Sequence, residues 1–211
     1  MHESVGEIKE LSQFAEGVVL DIGANVGSHS VNFAKTAQMV YAFEPHPATY
    51  NNLCANLLLH MCGNVIPERI ALGSYCGEAM MYDFDLTVTH YSMGAYIGNG
   101  TQRVEMRTVD SMAFSPVHFV KIDTEGHELE ILKGANYTLQ RENPIVFVEI
   151  HRTDLVEPIK EFMGARGYTN QEFISYMTTD KDSGDVMPLT WGYLFYKEGR
   201  IKWQERPLSQ E

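Results

Sequence analysis

Residues 18–46, VVLDIGANVGSHSVNFAKTAQMVYAFEPH, allow few folds. An apolar strand runs into a glycine-punctuated turn, a short helix follows, and a second strand ends on an acid, which is the order of a βαβ unit. Gly23 follows Val18, Val19 and Leu20, where the chain must turn sharply and leave room for a ligand; glycine allows both because it lacks Cβ. Gly27 and Ser28 open the helix, whose first N–H groups have no intrahelical acceptor and offer a site for a carboxylate or phosphate. Glu44 lies 21 residues after Gly23, close to the ~20-residue spacing at which an acid reaches ribose hydroxyls. The pattern points to an adenosine-containing cofactor, against the plainer reading of a tight strand-to-helix turn with a solvated Glu44.

The flanks narrow the cofactor. Asp21 stands two residues before Gly23, so the motif is D-x-G-x-x-x-G and not the three-glycine dinucleotide fingerprint. A carboxylate at the mouth of a pyrophosphate cradle repels its ligand but suits an ammonium group. S-adenosylmethionine carries such a group, with a ribose diol, a carboxylate and a sulfonium.

Composition excludes several classes. With 211 residues and 44% apolar composition the chain fills one domain without help from a partner. Sixteen Lys and Arg against 28 Asp and Glu give a formal charge of −12, which disfavours nucleic acid and anionic lipid surfaces. No apolar run reaches the ~20 residues of a membrane span. The start MHESVGEIKE lacks the features of a secretory signal, and Cys54, Cys62 and Cys76 lack C-x-x-C spacing. Free thiols in a cytoplasmic protein are expected.

Short strand signals alternate with amphipathic segments, which predicts a parallel sheet covered on both faces. Pro47 can sit in a first helical turn, and Tyr50, Leu53, Cys54, Leu57, Leu58 and Met61 recur at helical spacing as one apolar face. Asn64 to Leu72 reads as a third strand, and about 74–110 as an inserted hairpin and loop in which TVTHYSMGAYIGNGT could cover a ligand. A buried strand, Val117 to Ile122, precedes DTEGHELEILKGANYTL, a turn and a helix interrupted by Gly134; IVFVEIH, a helix over 154–165 and two closing strands follow, with a polar tail from about 199.

In open α/β sheets ligands bind beyond the carboxyl ends of the strands. Those ends carry Asp21, Glu44, then Asp123 with Glu125 and His127, and finally Glu149 with His151. The last five are the candidate catalytic residues, because histidine titrates near neutrality and carboxylates can orient it. Asp123 stands out: a charge ending a buried apolar strand is costly unless paired. Asp123, Glu149 and His151 have the donor types for a divalent ion, but no compact ligand motif accompanies them, and no metal is expected. The plainer readings are a helix-capping Glu125 and surface histidines.

LDIGANVG, AFEPHPATYNNLCANL, MRTVDSM and above all FVKIDTEGHELEILKGA followed by PIVFVEIH resemble the FkbM-type S-adenosylmethionine-dependent methyltransferases over roughly residues 17–152. The resemblance implies a class I methyltransferase fold, a Rossmann-like three-layer sandwich with a seven-stranded sheet of order 3-2-1-4-5-7-6 and strand seven antiparallel. It implies that Asp21, Gly23, Ala24, Asn25, Gly27 and Ser28 hold the methionine part of the cofactor. Glu44 with Pro45 would hold the ribose, Ile70 and Ala71 the adenine, and Asp123, Glu125 and Gly126 would face cofactor and substrate. Only about sixteen residues precede the first strand, so an amino-terminal substrate-covering region of longer relatives is expected to be missing.

The implied reaction is in-line methyl transfer, in which the protein mainly aligns nucleophile and methyl. A sugar hydroxyl must also lose a proton, a task for His151, His127 or Asp123. There is no N/D-P-P-Y/F segment after the fourth strand and no cysteine at its end, which disfavours amino-directed nucleic-acid chemistry and attack on pyrimidine C6. O-methylation of a small molecule or carbohydrate, with S-adenosylhomocysteine as product, is the leading expectation. An NAD-type oxidoreductase and a non-catalytic cofactor-binding module are the alternatives. Loops 83–103 and 178–188 are expected beside the acceptor.

Overall fold

The computed structural model describes residues 11–82, 97–98, 100–114, 116–179 and 186–201. In chain order its elements are β1 (Gly17–Ile22), α1 (Ser28–Phe33), β2 (Ala37–Phe43), α2 (Pro47–Leu59), β3 (Val65–Glu68), β4 (Ala71–Leu72), β5 (Gly77–Met81) and β6 (Gln102–Arg107). They continue as β7 (Phe119–Ile122), α3 (Glu128–Gly134), α4 (Asn136–Arg141), β8 (Ile145–Glu149), α5 (Val156–Gly164), β9 (Asn170–Thr179) and β10 (Val186–Tyr196).

Seven strands form one sheet in the order β3-β2-β1-β7-β8-β10-β9, and β4, β6 and β5 form a second. Counted without the second sheet's strands, the main sheet runs 3-2-1-4-5-7-6. Its first five strands are parallel, and β10 is antiparallel to both β8 and β9. Neighbouring residues of the central strands enter different cores, as pleating requires. Leu20, Ile22, Val120 and Val146 pack with Ile131, Leu132 and Ile159 on one face. Val19, Phe119 and Phe147 pack with Phe33 and Leu53 on the other. With both faces covered, the strands read as continuous apolar runs.

Three local features depart from the sequence reading. The third strand is two: β3 pairs with β2 from Val40↔Val65 to Phe43↔Glu68, and the chain then leaves the sheet so that Ala71 and Leu72 pair with Met106 and Arg107 of β6. The apolar face of α2 is narrower, since Leu53 and Leu57 are buried while Leu58 and Met61 are 79% and 89% exposed. Leu57 and Leu58 are about 100° apart on the helix, so only one of them can face the core, and Met61 lies beyond the helix end with φ 55°. The helix after β7 is two helices broken at Ala135; Asp110 accepts from the N–H groups of Tyr137 and Thr138, both at 2.8 Å, at the start of α4. Gly134 stands where a Cβ would lie 1.9 Å from the carbonyl oxygen of Gly73, so close approach of α3 to the inserted sheet demands glycine there.

Within the insertion, β5 and β6 pair antiparallel from Gly77↔Met106 to Met81↔Gln102. Most of the 83–103 and 178–188 loops lies outside the described residues, as does the tail from 202. All three cysteines are free. Among the described residues no helix is long and apolar enough to cross a membrane.

Candidate active site

The loop after β1 is folded back on the end of β2: the N–H groups of Gly23 and Ala24 both donate to the Phe43 carbonyl at 3.0 Å. Gly23, at φ 77°, has no room for a side chain, because a Cβ would lie 1.7 Å from the Asp123 carbonyl oxygen. Gly27, at φ 90°, caps α1 where a Cβ would meet Leu53 Cδ1 at 2.6 Å. Two glycines of the motif are thus fixed by close packing and left-handed backbone together.

Asp21 does not reach the mouth of this loop. It is completely buried beneath it, where Ser30 Oγ donates to Oδ2 at 2.6 Å and Lys121 Nζ lies 3.6 Å from Oδ1. Burial raises its pKa, with Lys121 and Ser30 opposing. The expectation that Asp21 meets a ligand ammonium directly is therefore corrected, since no surface of the carboxylate is available for contact. Ala24 is also buried, Gly27 shapes the turn, and α1 is only six residues long. Neither Ala24, Gly27 nor Ser28 lines the cleft beside the loop, whereas Gly23 and Asn25 do.

That cleft is continuous with Glu44 and Pro45 at the end of β2 and with Ile70 and Ala71 between the two sheets. Glu44 is 7% exposed; Oε2 accepts from the Asn25 N–H at 3.1 Å and Oε1 from the His46 N–H at 2.9 Å. Burial pushes its carboxyl up to about 7 although both hydrogen bonds oppose this. Phe43, Leu72, Met81 and Ile97 complete apolar walls that the sequence reading did not assign. Met81 and Ile97 belong to the insertion and form an antiparallel bridge, so the second sheet closes the cleft.

Across the cleft stand Asp123, Thr124, Glu125 and His127. Asp123 Oδ1 is 3.0 Å from His151 Nε2, and its Oδ2 accepts from Lys121 Nζ at 3.2 Å. Glu125 Oε2 is 3.7 Å from His151 Nδ1 and Glu149 Oε1 is 3.6 Å from Nε2, so the end of β8 joins the end of β7 in one cluster. Burial disfavours charge on His151, but the Asp123 hydrogen bond and the fields of three carboxylates lift its imidazole to about 9. Burial likewise disfavours charge on Asp123, yet Lys121 and His151 hold that carboxyl well below the usual range. His127 is set apart: burial lowers its pKa, and its Nε2 is enclosed near Gly73 without a hydrogen-bond partner among the described residues. The five candidate catalytic residues thus divide into a linked group of four and an isolated histidine.

Sequence comparison matches the methyltransferase FkbM domain over residues 21–169. The chain belongs to the FkbM methyltransferase family. Hexuronic acid methyltransferase AglP of Haloferax volcanii is 34% identical over 148 residues, which are 64% of this chain and 56% of AglP. A methyltransferase FkbM from Methylobacillus flagellatus KT superposes with a TM-score of 0.60 at 18% identity, over 86% of this chain and 44% of that one. Precorrin-6y C5,15-methyltransferase from Geobacter metallireducens also gives 0.60, at 15% identity, over 92% and 88% of the two chains. These structural likenesses are of fold, and that fold is the class I methyltransferase sandwich.

This FkbM domain holds two polar residues that the sequence reading passed over. Lys121 lies mid-strand in FVKI and is 1% exposed, facing Asp21, Asp123 and the Gly23 carbonyl at 3.5 Å. A lysine inside an apolar run was the available signal, because buried cations require partners. Glu128, the third acid of DTEGHE, is fully buried. One ligand atom each from Asp123, Glu149 and His151 lie within 4.8 Å of one another, the one such set among the described residues able to hold a metal ion.

Proposed function

We propose that this chain is an S-adenosylmethionine-dependent methyltransferase that methylates a hydroxyl of a carbohydrate acceptor, with S-adenosylhomocysteine as product. The observation that carries the reading is one cleft with Glu44 on one side and, on the other, Asp123, whose carboxylate is hydrogen-bonded to His151 behind the lining. Family membership supports methyl transfer, and the hexuronic acid methyltransferase among the relatives supports a sugar acceptor.

The residues present fit such a cofactor. Gly23 opens the loop beside the cleft, Glu44 is placed to accept from a ribose diol, and Phe43, Ile70 and Leu72 form an apolar sleeve for a base. When bound, S-adenosylmethionine supplies a methyl carbon made electrophilic by its sulfonium. The chain's own task is alignment and proton removal. We assign the base to His151: Nε2–H donates to Asp123, leaving Nδ1 to take the acceptor proton beside Glu125. Asp123 and Glu125, two of the carboxylates that lift His151, also line the cleft that takes the cationic ligand; shared between two cations, they lift the imidazole less, and its neutral form becomes populated near neutrality. No step is assigned to a metal, because Asp123 already faces the Lys121 ammonium, against which a divalent ion would be set. Turnover is accordingly expected to survive exhaustive chelation.

Calorimetry should show binding of S-adenosylmethionine and S-adenosylhomocysteine but not of NAD, and a methyl-donor assay over neutral sugars, uronic acids and small hydroxyl metabolites should give a methylated sugar by product mass. Binding of NAD alone, or no methylated sugar in the panel, contradicts the proposal.

Glu44 adds a pH test. A ribose diol donates hydrogen bonds to a carboxylate, so the ionised form binds. With Glu44 at about 7, affinity should rise by up to roughly tenfold per pH unit below that value and level off above it. Glu44→Gln should bind roughly tenfold to a hundredfold more weakly and lose this dependence. Equal slopes for the two proteins would show that the ribose lies elsewhere.

A further inference from the structure

The turn that carries Glu125 is unusual and has a buried organiser. Glu125 and Gly126 adopt φ 57° and 109°, so two successive residues are left-handed and one of them bears a side chain. Glu128, at the start of α3, is 0% exposed, and its Oε1 accepts from the Gly126 N–H at 2.8 Å and from both the N–H and Oγ1 of Thr124 at 3.3 Å. Its Oε2 is enclosed without a hydrogen-bond partner among the described residues. On the other side the turn is pressed against the first loop, where Gly23 leaves room for the Asp123 carbonyl.

We propose that Glu128 is a positioning residue, whose buried carboxylate ties Thr124 and Gly126 into the left-handed turn that holds Glu125 against His151. A carboxylate accepting several N–H and O–H bonds fixes a backbone shape that the residues between those donors do not favour by themselves. Glu125, at the tip, then lies 3.7 Å from His151 Nδ1, the nitrogen assigned above to the acceptor proton. Glu128 touches neither cleft contents nor His151 and works through the turn. The inference rests on the proposed function for its catalytic meaning, whereas the structural link from Glu128 to His151 does not.

The test uses the cofactor-free protein. His151 faces Asp123, Glu125 and Glu149, with Lys121 behind Asp123 and Arg152 packed on Gly126. Glu128→Ala removes the acceptor for all three donors. The Gly126 amide should then exchange with solvent at least about tenfold faster, and the NMR titration of His151 should move down by the share that Glu125 contributes, the smallest of the three carboxylates, while Asp123 and Glu149 still hold it above the ordinary histidine range. Glu128→Gln keeps an acceptor oxygen at the same reach and should restore both readouts. S-adenosylhomocysteine, measured by calorimetry, should bind Glu128→Gln within about threefold of wild type.

Should Glu128→Ala fail to fold, Glu128→Asp replaces it: the charge remains, the shorter side chain no longer spans to Gly126, and the same fall in the His151 titration is expected. An unmoved His151 titration in Glu128→Ala or Glu128→Asp, or a Gln variant no better than Ala, overturns the proposal. Because these readouts need neither methyl donor nor acceptor, a failure to methylate sugars leaves them intact and counts against the proposed function alone.

Discussion

Lys121→Met should cost about 3–5 kcal/mol of stability at pH 8, the range for removing one partner of a buried ion pair. In a domain of this size that corresponds to a Tm lower by roughly 10 °C. The ammonium lies between Asp21, which is wholly buried, and Asp123, at 3.6 and 3.2 Å. Methionine fills the space but leaves Asp21 with Ser30 as its partner. The loss should depend on pH, with a sign fixed by Asp21. Burial already raises its folded pKa above the ordinary carboxylate value, and Lys121 is the chief opposing influence. An acid raised in the folded state contributes stability below its unfolded pKa and loses it as pH rises through the folded one. Without Lys121 the folded pKa climbs further, so the loss extends to higher pH and the variant should suffer more at pH 8 than at pH 5. Urea denaturation at both values measures this, and adding Asp21→Asn should recover much of the difference at pH 8. A single variant within about 1 kcal/mol of wild type at both pH values would mean that Lys121 carries no such load.

Lys121 also marks where the sequence stopped being readable. The βαβ unit, Glu44, and the convergence of Asp123 with His151 followed from a rule about the carboxyl ends of parallel strands, and those positions depend on strand order alone. Which way a side chain points from a strand covered on both faces depends on register. Asp21 at a strand end could equally face the ligand or the helix layer, and it faces Ser30 of α1. Lys121, two residues before Asp123, shares its side of the pleat, a relation visible from period two once the strand's covered faces are known. The split of the third strand was hidden for another reason: Val65 to Leu72 stays mostly apolar while its partner changes from β2 to β6. The role of the insertion as a cleft wall depends on Met81 and Ile97, whose bridge is a long-range pairing with no local signature. Glu128 was disguised by company, since in a run of polar residues only burial separates the organiser of the turn from the groups it displays.

His151→Ala should lower turnover by about a hundredfold to ten-thousandfold, the range for loss of a general base, while binding of S-adenosylhomocysteine changes little. The pH profile separates this from mere disturbance of the cluster. With His151 at about 9 in the free site, roughly one molecule in a hundred carries a neutral imidazole at pH 7. The ratio kcat/KM should therefore climb with pH toward that value and level above it, because it reports the free enzyme. In the cofactor-bound protein the limb in kcat should lie lower, as the carboxylates are shared with a second cation. Asp123→Asn keeps an acceptor oxygen for Nε2–H but removes the nearest negative charge, so the limb should shift to lower pH; its plateau should fall as well, since a weaker base draws the acceptor proton less strongly. Asp123→Asn thus moves the limb and His151→Ala removes it, a contrast that a purely structural cluster would not produce. If His151→Ala keeps both the limb and turnover within about threefold of wild type, the base is another residue. His127, on the cleft wall with its pKa lowered by burial, is then the first to test.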